Sequence, residues 1–308
     1  MKSVLLVNLG TPAAPTAAAV RTYLAEFLSD PRVVPLPAWL WRPLLNRVVL
    51  PLRSPQSAEK YAQIWMAEGS PLSVYTARMA QALAERLRLP VAYAMRYGEP
   101  AIAPTLARLD DPLVVPLYPQ YAESTTGSVL ATLPHIPAVR QFHDHPAYIG
   151  ALTANVRRHW ARHGRAPMLV ISFHGLPKRG AGDYEQQCHA TAHLLAQALA
   201  LSGAEWRVTF QSRFGYARWL EPATEPTLIA LAQASVRRAD VVCPGFVADC
   251  LETLEEIGIR ARARYRAAGG ARAAPAVRGQ SRSARCRVIR EDFATAQGPA
   301  RTGRPTSG

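Results

Sequence analysis

The sequence predicts an α/β fold with two parallel sheets, and two observations carry that prediction. First, short apolar runs alternate with segments of helical periodicity over residues 1–270, a pattern typical of βαβ units. Second, residues 4–12 and 168–177 each read as an apolar strand, a polar residue and a Gly/Pro turn. Because these segments lie in different halves of the chain, we expect two similar domains, each a parallel sheet flanked by helices.

The elements follow from periodicity. Val4–Val7 is a continuous apolar run before a turn, and it predicts the first strand. Helices are predicted over Ala17–Leu28 and Thr76–Leu87, where apolar residues recur every three or four positions. Ligands of open parallel sheets bind beyond the carboxyl ends of the strands, so both turns should face one cleft. The remaining predicted strands are Val91–Met95, Leu113–Leu117, Met168–Phe173, Trp206–Phe210 and Asp240–Cys243.

The charge distribution separates a tail from these domains. We expect an N-terminal domain over 1–150, a C-terminal domain over 151–270 and an atypical tail over 271–308. The formal net charge is +14, yet residues 260–308 hold 12 arginines against two acidic residues. The tail has few large apolar residues to offset its ordering entropy, so we expect it to be disordered. The excess charge therefore does not indicate a nucleic-acid partner.

Several classes of protein are disfavoured by missing motifs. No secretory signal precedes Val4–Val7, and no apolar run approaches the about 18 residues of a transmembrane helix, so we expect a cytoplasmic protein. The four cysteines form no CxxC pair, which disfavours a structural zinc site or a redox dithiol. No Walker loop, GxGxxG or GxSxG motif occurs, which disfavours nucleotide binding and α/β-hydrolase chemistry.

His174 is the first candidate for chemistry. It directly follows an apolar strand and precedes Gly175 and Pro177, which expose it at the carboxyl end of that strand. An imidazole there can accept a proton near neutral pH. A histidine that merely caps the strand fits the pattern equally well.

Three carboxylates form the second candidate. Asp249, Glu252 and Glu256 are spaced i, i+3, i+7, which predicts one shared face of a helix. The helix follows the strand Asp240–Cys243, so this face should lie at a cleft, where carboxylates can accept protons or bind a hard cation. A solvated acidic face is the alternative.

Residues 31–56 form a segment without any acidic residue, which we call the lip. It interleaves Arg32, Arg42, Arg47 and Arg53 with many apolar side chains, including two tryptophans. Such a pattern suits a membrane surface or an apolar ligand with carboxylate arms. An ordinary buried helix with outward-pointing arginines is the alternative.

Eight motifs follow one another over residues 1 to about 270: VNLGTP (Val7–Pro12), FLSDPRV (Phe27–Val33), GSPL (Gly69–Leu72), MRYGEP (Met95–Pro100), LYPQYAESTTGS (Leu117–Ser128), SFHGLP (Ser172–Pro177), FQSRFG (Phe210–Gly215) and CPGFVADCLETLEEI (Cys243–Ile257). Taken together, and in this order, they resemble the ferrochelatase family of the bacterial type. The resemblance implies two Rossmann-like domains with a porphyrin cleft between them. It also implies insertion of Fe²⁺ into protoporphyrin IX, the terminal step of haem synthesis.

The resemblance also assigns roles to residues. His174 and Glu252 match the family's catalytic and iron-site positions, and Asp249 and Glu256 match a proton relay or secondary metal site. The lip matches the hydrophobic rim through which porphyrin enters, with peripheral contact to the inner membrane face. Fe²⁺ is a substrate, and no permanently bound cofactor is expected. Porphyrin-binding positions are Leu9, Arg96, Tyr97, Tyr121 and Trp219.

The sequence departs from the family after Gly270. The expected aromatic strand and closing helix give way to an Ala/Arg-rich stretch, which suggests a reading-frame change near that codon. Cys286 stands alone there, so no iron–sulfur cluster is expected. Alternatives are a chelatase for another metal or for coproporphyrin, and a porphyrin-binding protein inactivated by its altered C-terminus. A nucleic-acid binder is a further alternative on charge alone.

Overall fold

Two parallel sheets of the same layout organise the chain. The computed structural model describes residues 1–133, 135–213 and 217–270, and six strands in these ranges form two three-stranded sheets. The strand orders are β2-β1-β3 and β5-β4-β6, so the earliest strand of each half is central. The predicted α/β class is thereby confirmed. The strands are β1 (Ser3–Gly10), β2 (Val91–Tyr97), β3 (Pro112–Pro116), β4 (Met168–His174), β5 (Trp206–Gln211) and β6 (Ala239–Val242).

Helices surround both sheets. They are α1 (Ala17–Phe27), α2 (Ala38–Leu44), α3 (Leu50–Ile64), α4 (Pro71–Leu87), α5 (Ile102–Leu106), α6 (Ser128–Leu130), α7 (Pro146–His163), α8 (Tyr184–Ala198), α9 (Thr224–Gln233) and α10 (Arg262–Ala267). Three segments are π-helical: Leu45–Val49, Glu123–Gly127 and Glu252–Ala261. The last directly precedes α10, and we call it the acidic π-helix.

Two elements are longer than predicted. β1 continues past Val7 to Gly10, because Asn8 pairs with Met95 and Gly10 with Tyr97 in the parallel ladder. The helix predicted from Thr76 begins at Pro71, since a proline suits the first turn of a helix, where its missing N–H would be unpaired anyway.

The central strands are buried on both faces, which explains their continuous apolar sequences. Along β1, Val4 and Leu6 belong to one apolar cluster, whereas Leu5 and Val7 belong to another. Along β4, Leu169, Ile171 and Phe173 join the same cluster as Val4 and Leu6, and helices α4, α7 and α8 also contribute to it. One core therefore runs through both halves of the chain.

The proposed domain boundary at residue 150 falls within α7. Tyr148, Ile149, Leu152 and Val156 of this helix all pack in the shared core. The two halves are thus joined by a packed helix. The predicted tail over 271–308, including Cys286, lies outside the described residues.

Candidate active site

His174 ends β4, the central strand of the second sheet. Its Nδ1 lies 2.6 Å from the carbonyl oxygen of Gly175. Because a carbonyl oxygen only accepts hydrogen bonds, Nδ1 is the donor, and the neutral ring keeps its lone pair on Nε2. Tyr184 of α8 donates its hydroxyl to the carbonyl oxygen of His174 at 2.9 Å. These two bonds therefore fix the tautomer of the ring and the backbone carbonyl of the same residue, and the role of His174 as a base stays a prediction.

Gly175 allows the backbone after His174 to approach its neighbours closely. Its N–H donates to the carbonyl oxygen of Gln211 at 2.7 Å. A Cβ at residue 175 would lie 2.7 Å from that same oxygen and 3.3 Å from the ring of Trp219. The buried indole N–H of Trp219 has no hydrogen-bond partner among the described residues. The structure thus brings Trp219 next to the turn that carries His174.

Gln211 connects the end of β4 to the acidic π-helix. It pairs with His174 in the β4–β5 ladder and is 3 % exposed. Its Nε2 donates to the carbonyl oxygen of Glu252 at 2.9 Å, and its Oε1 accepts from the Ser172 hydroxyl at 2.8 Å. His174 and Glu252 are therefore separated by one shared neighbour. We did not predict a role for Gln211. The available signal was the one that marked His174, a polar residue at the end of an apolar strand.

The three carboxylates do not share an α-helical face as predicted. Asp249 precedes the helix and accepts a hydrogen bond from the Thr253 hydroxyl at 3.1 Å. Glu252 and Glu256 lie in the acidic π-helix, whose i→i+5 hydrogen bonds place about one extra residue in each turn. Glu252 and Glu256, four residues apart, consequently share a face.

Glu256 is held by a strained turn at the end of β5. It accepts hydrogen bonds from the backbone N–H of Ser212 at 2.8 Å and from the Ser212 hydroxyl at 2.6 Å. Ser212 has a φ of 65°, a left-handed conformation that is uncommon for serine. Such strain is often found at functional sites.

The charge of Glu252 is directed at the first half of the chain. Burial raises the pKa values of Tyr23 in α1 and Tyr61 in α3, and the nearby Glu252 carboxylate raises them further. Since Tyr23 and Tyr61 belong to helices beside the first sheet, the acidic π-helix faces that half. Glu252 of the second half therefore lies close to α1 and α3 of the first half.

The thiols beside the carboxylates stay protonated. Burial raises the pKa of Cys243, as do Asp249 and Glu256, and burial together with Glu252 raises the pKa of Cys250. Thiols, unlike thiolates, are poor metal ligands and nucleophiles. Across the described ranges, no group of three or more His, Cys, Asp and Glu side chains could hold a metal ion. The two-residue site of His174 and Glu252 stays a prediction.

Arg96 and Tyr97 end β2 and bind Asp30, a residue we did not predict. Arg96 Nη2 lies 2.6 Å from Asp30 Oδ2, and its Nε donates to the carbonyl oxygen of Ser128 at 2.9 Å. Tyr97 donates its hydroxyl to Asp30 at 2.9 Å, and burial is the main cause that raises its pKa to about 12. The guanidinium charge of Arg96 is thus compensated within the protein. The aspartate of the Phe27–Val33 motif was visible in the sequence, but nothing local indicated its partners.

Tyr121 and Leu9 lie at the same edge of the first sheet. Tyr121 donates its hydroxyl to Glu123 at 2.6 Å, and the Arg140 guanidinium lies 4.3 Å from its ring centre. The N–H of Leu9, near the end of β1, donates to Asn8 Oδ1 at 2.9 Å. Their contact with porphyrin stays a prediction.

The lip packs on α1 with one side and is exposed on the other. Leu45 and Leu50 are each 1 % exposed, and the Trp41 indole donates to the carbonyl oxygen of Leu28 at 2.7 Å. The alternative interpretation, an ordinary buried helix, is therefore wrong for a large part of the segment. The exposed apolar residues are Leu36, Trp39, Leu40, Leu44, Val48 and Leu52, with Trp39 the most exposed at 79 %. Within the described residues, no helix is long and apolar enough to cross a membrane.

Comparisons with known proteins agree with these features. The family model described as Ferrochelatase matches residues 1–286. A ferrochelatase of Aromatoleum aromaticum is 55 % identical over 291 residues, which cover 87 % of this chain and 80 % of that protein. A ferrochelatase of Azoarcus sp. is 55 % identical over 289 residues, with the same shares covered. The solved structure of CbiX, the terminal enzyme for biosynthesis of siroheme in denitrifying bacteria, has a similar fold: its TM-score is 0.52 at 15 % identity, covering 96 % of this chain and 100 % of CbiX.

Proposed function

Since the chain belongs to the ferrochelatase family and is a porphyrin metal chelatase of haem synthesis, we propose that it inserts Fe²⁺ into protoporphyrin IX. One observation carries the proposal. His174 stands at a strand end with Nε2 available as a base, and Gln211 links that strand to the acidic π-helix. A base beside carboxylates is what removal of two pyrrole protons and delivery of a cation require.

His174 is the proposed catalytic base. The Gly175 carbonyl fixes the tautomer, and Tyr184 fixes the backbone carbonyl of the same residue. Nε2 would first hold the arriving Fe²⁺ together with Glu252, and would take a pyrrole proton once the metal has passed to the macrocycle. Because the ring is already oriented, little conformational freedom is lost when the porphyrin binds.

The carboxylates are the proposed metal and proton carriers. Glu252 would share the arriving Fe²⁺ with His174, and Asp249 and Glu256 would conduct protons away or hold a second cation. The hydrogen bonds from Ser212 keep Glu256 oriented on the same face as Glu252. Oxygen ligands hold a divalent cation without the tight binding of thiolates, which favours its release to the macrocycle.

The porphyrin would lie between aromatic and apolar side chains of both halves. Tyr121 of the first half and Trp219 of the second offer ring surface to a planar macrocycle, and Leu9 adds an apolar contact. The Tyr97 ring, predicted to bind porphyrin, is only 1 % exposed, so it would support the site from within the core instead of touching the macrocycle. Arg96 is bound by Asp30, so it would act by supporting Tyr97, over whose ring its guanidinium lies at 4.4 Å. No permanently bound cofactor is required, since Fe²⁺ enters as a substrate.

The choice of metal and the choice of porphyrin substrate rest on different features. Imidazole and oxygen ligands do not by themselves prefer Fe²⁺ over Zn²⁺ or Co²⁺, so supply would contribute to selectivity. Coproporphyrin carries more carboxylates than protoporphyrin IX, and is the alternative substrate. A protein that binds porphyrin without inserting metal is the other alternative, if its C-terminus disables it.

The test is an anaerobic insertion assay with Fe²⁺, Zn²⁺ and Co²⁺, each offered with protoporphyrin IX and coproporphyrin. We expect His174→Ala to abolish insertion while porphyrin binding, followed by absorbance, persists. Glu252→Gln should lower the rate at least tenfold with the fold intact, because a neutral amide neither carries a proton nor attracts the cation.

The controls are His193→Ala on the exposed side of α8 and Glu59→Gln on the exposed side of α3. Both should keep the wild-type rate. Near-normal turnover by His174→Ala would eliminate the proposed base. Faster insertion into coproporphyrin would replace the proposed substrate, and binding without insertion by the unaltered protein would favour the non-catalytic alternative.

We also propose that the lip contacts the inner membrane face from the cytoplasm. Its exposed apolar side chains and its arginines suit an anionic lipid surface, and both protoporphyrin and haem are poorly soluble in water. Nucleic acid is not a proposed partner.

A further inference from the structure

Asp30 is a buried carboxylate at the junction of α1 and the lip. Its side chain is 6 % exposed, and each of its oxygens is engaged. Oδ2 accepts from Arg96 Nη2 at 2.6 Å and from the Tyr97 hydroxyl at 2.9 Å, whereas Oδ1 accepts from the backbone N–H of Arg32 at 2.8 Å. One side chain thus joins the beginning of the lip to the carboxyl end of β2.

The backbone of Asp30 strengthens the same junction. Its carbonyl oxygen accepts from the N–H of Val33 at 2.9 Å and of Val34 at 3.0 Å. Val33 and Val34 pack against the cluster of Leu28, Leu45 and Leu50 that attaches the lip to α1. The first turn of the lip is therefore built on Asp30 through both its main chain and its side chain.

The ion pair with Arg96 is protected from water. The Arg96 side chain is 17 % exposed, and its Nε is already bound to the carbonyl oxygen of the buried Ser128. If one partner of a buried pair is removed, the other remains as an uncompensated charge, which is strongly unfavourable. Removal of either Asp30 or Arg96 should therefore destabilise this junction, because the charge of the other would be left uncompensated.

We propose that Asp30 is a positioning residue for substrate access. It fixes the lip against the carboxyl end of β2, where the buried Tyr97 forms part of the support, so that the porphyrin meets a preformed surface. This inference rests on the proposed function, because it takes the end of β2 as part of the porphyrin site. It assigns Asp30 to binding rather than to chemistry, which His174 and the carboxylates of the second half would perform.

The variant Asp30→Asn keeps the size of the side chain and removes its charge. We expect KM for porphyrin to rise about tenfold while kcat stays within about twofold, because binding is affected and the base is not. Tryptic cleavage after Arg32 and Arg47 should accelerate in the folded protein, since the start of the lip is released. A loss of overall stability alone would not produce this localised cleavage.

A double-mutant cycle tests the pairing. Arg96→Gln alone should raise KM as Asp30→Asn does, whereas the double variant should be less impaired than the two effects combined, because no buried charge is left unpaired. Asp110→Asn is the matched control, because Asp110 forms an exposed pair with Lys2. It should leave KM and tryptic cleavage unchanged.

The outcomes separate this inference from the proposed function. An unchanged KM in Asp30→Asn, a fall in kcat alone, or additive effects in the cycle would overturn the role of Asp30. Activity in His174→Ala would instead overturn the proposed base. If Asp30→Asn does not fold, Tyr97→Phe removes only the hydroxyl that binds Asp30: a raised KM would support the inference, and a wild-type KM would refute it.

Discussion

At the scale of single residues, the turn after β4 requires a glycine at position 175. Gly175 lies so close to Gln211 and Trp219 that any side chain there would displace the turn that carries His174. The sequence predicted the position of His174, because a glycine and a proline follow an apolar run. It did not predict the contact with Gln211, which comes from a neighbouring strand.

Gly175→Ala should lower kcat at least tenfold and cost about 1–3 kcal/mol of stability, because the added methyl group meets backbone at 2.7 Å. The strand end must shift, and the imidazole shifts with it. Insertion rates and urea unfolding would measure the two effects.

Gly150→Ala is the control for that substitution. Gly150 lies within α7, and a Cβ there meets nothing within 4 Å. Alanine is favoured over glycine in a helix by up to about 1 kcal/mol, so stability should be unchanged or slightly higher and activity normal. An active Gly175→Ala enzyme would show that the turn tolerates displacement.

At the scale of elements, the strands were easier to predict than the contacts between distant segments. Most strands were predicted to within a few residues, because buried parallel strands are continuously apolar. The π-helical form of the acidic helix was not predicted, since the spacing of Asp249, Glu252 and Glu256 also fits an ordinary α-helix. The bond between Arg96 and Asp30 joins residues 66 positions apart, and no local pattern indicates such a partner.

A second buried carboxylate, Asp240, connects β6 to α7. It accepts from the Trp160 indole at 2.8 Å and lies 3.5 Å from His159 Nε2 and 3.6 Å from Arg238. Burial lowers the pKa of His159, and the neighbouring His163 and Arg238 lower it further, whereas Asp240 opposes the shift. The folded state therefore resists protonation of His159.

Stability should consequently fall as the pH drops below about 6.5, the ordinary pKa of histidine, because the unfolded chain then binds a proton that the folded chain does not. The loss should level off below the depressed pKa of the folded state. His159→Gln should flatten this dependence in urea unfolding between pH 8 and pH 5.5. His193→Gln, an exposed change, should not, and equal slopes for both variants would contradict the assignment.

At the scale of the whole molecule, the lip gives one face of the protein a distinct chemistry. Its apolar residues are exposed on the side away from α1, and the pattern in the sequence alone did not decide between this arrangement and a buried helix. Burial of a tryptophan in a lipid interface contributes roughly 2 kcal/mol, so one substitution should be measurable.

Trp39→Ser should weaken binding to vesicles that contain anionic lipid by at least tenfold, as followed by co-sedimentation. Added salt should weaken wild-type binding further, because the arginines of the lip contribute electrostatically. Ile259→Ser, at an apolar residue that is 41 % exposed outside the lip, is the control and should bind normally. Equal loss in both variants would refute a membrane role for the lip.

The core shared by β1 and β4 has a mechanical consequence. Val4 and Leu6 pack in the same cluster as Ile171 and Phe173, with α7 crossing between the halves. Swinging the halves apart would expose that cluster to water, so a wide hinge opening is unfavourable. The two sheets therefore act as a rigid frame, and a macrocycle must be admitted and released by small movements at the rim of that frame.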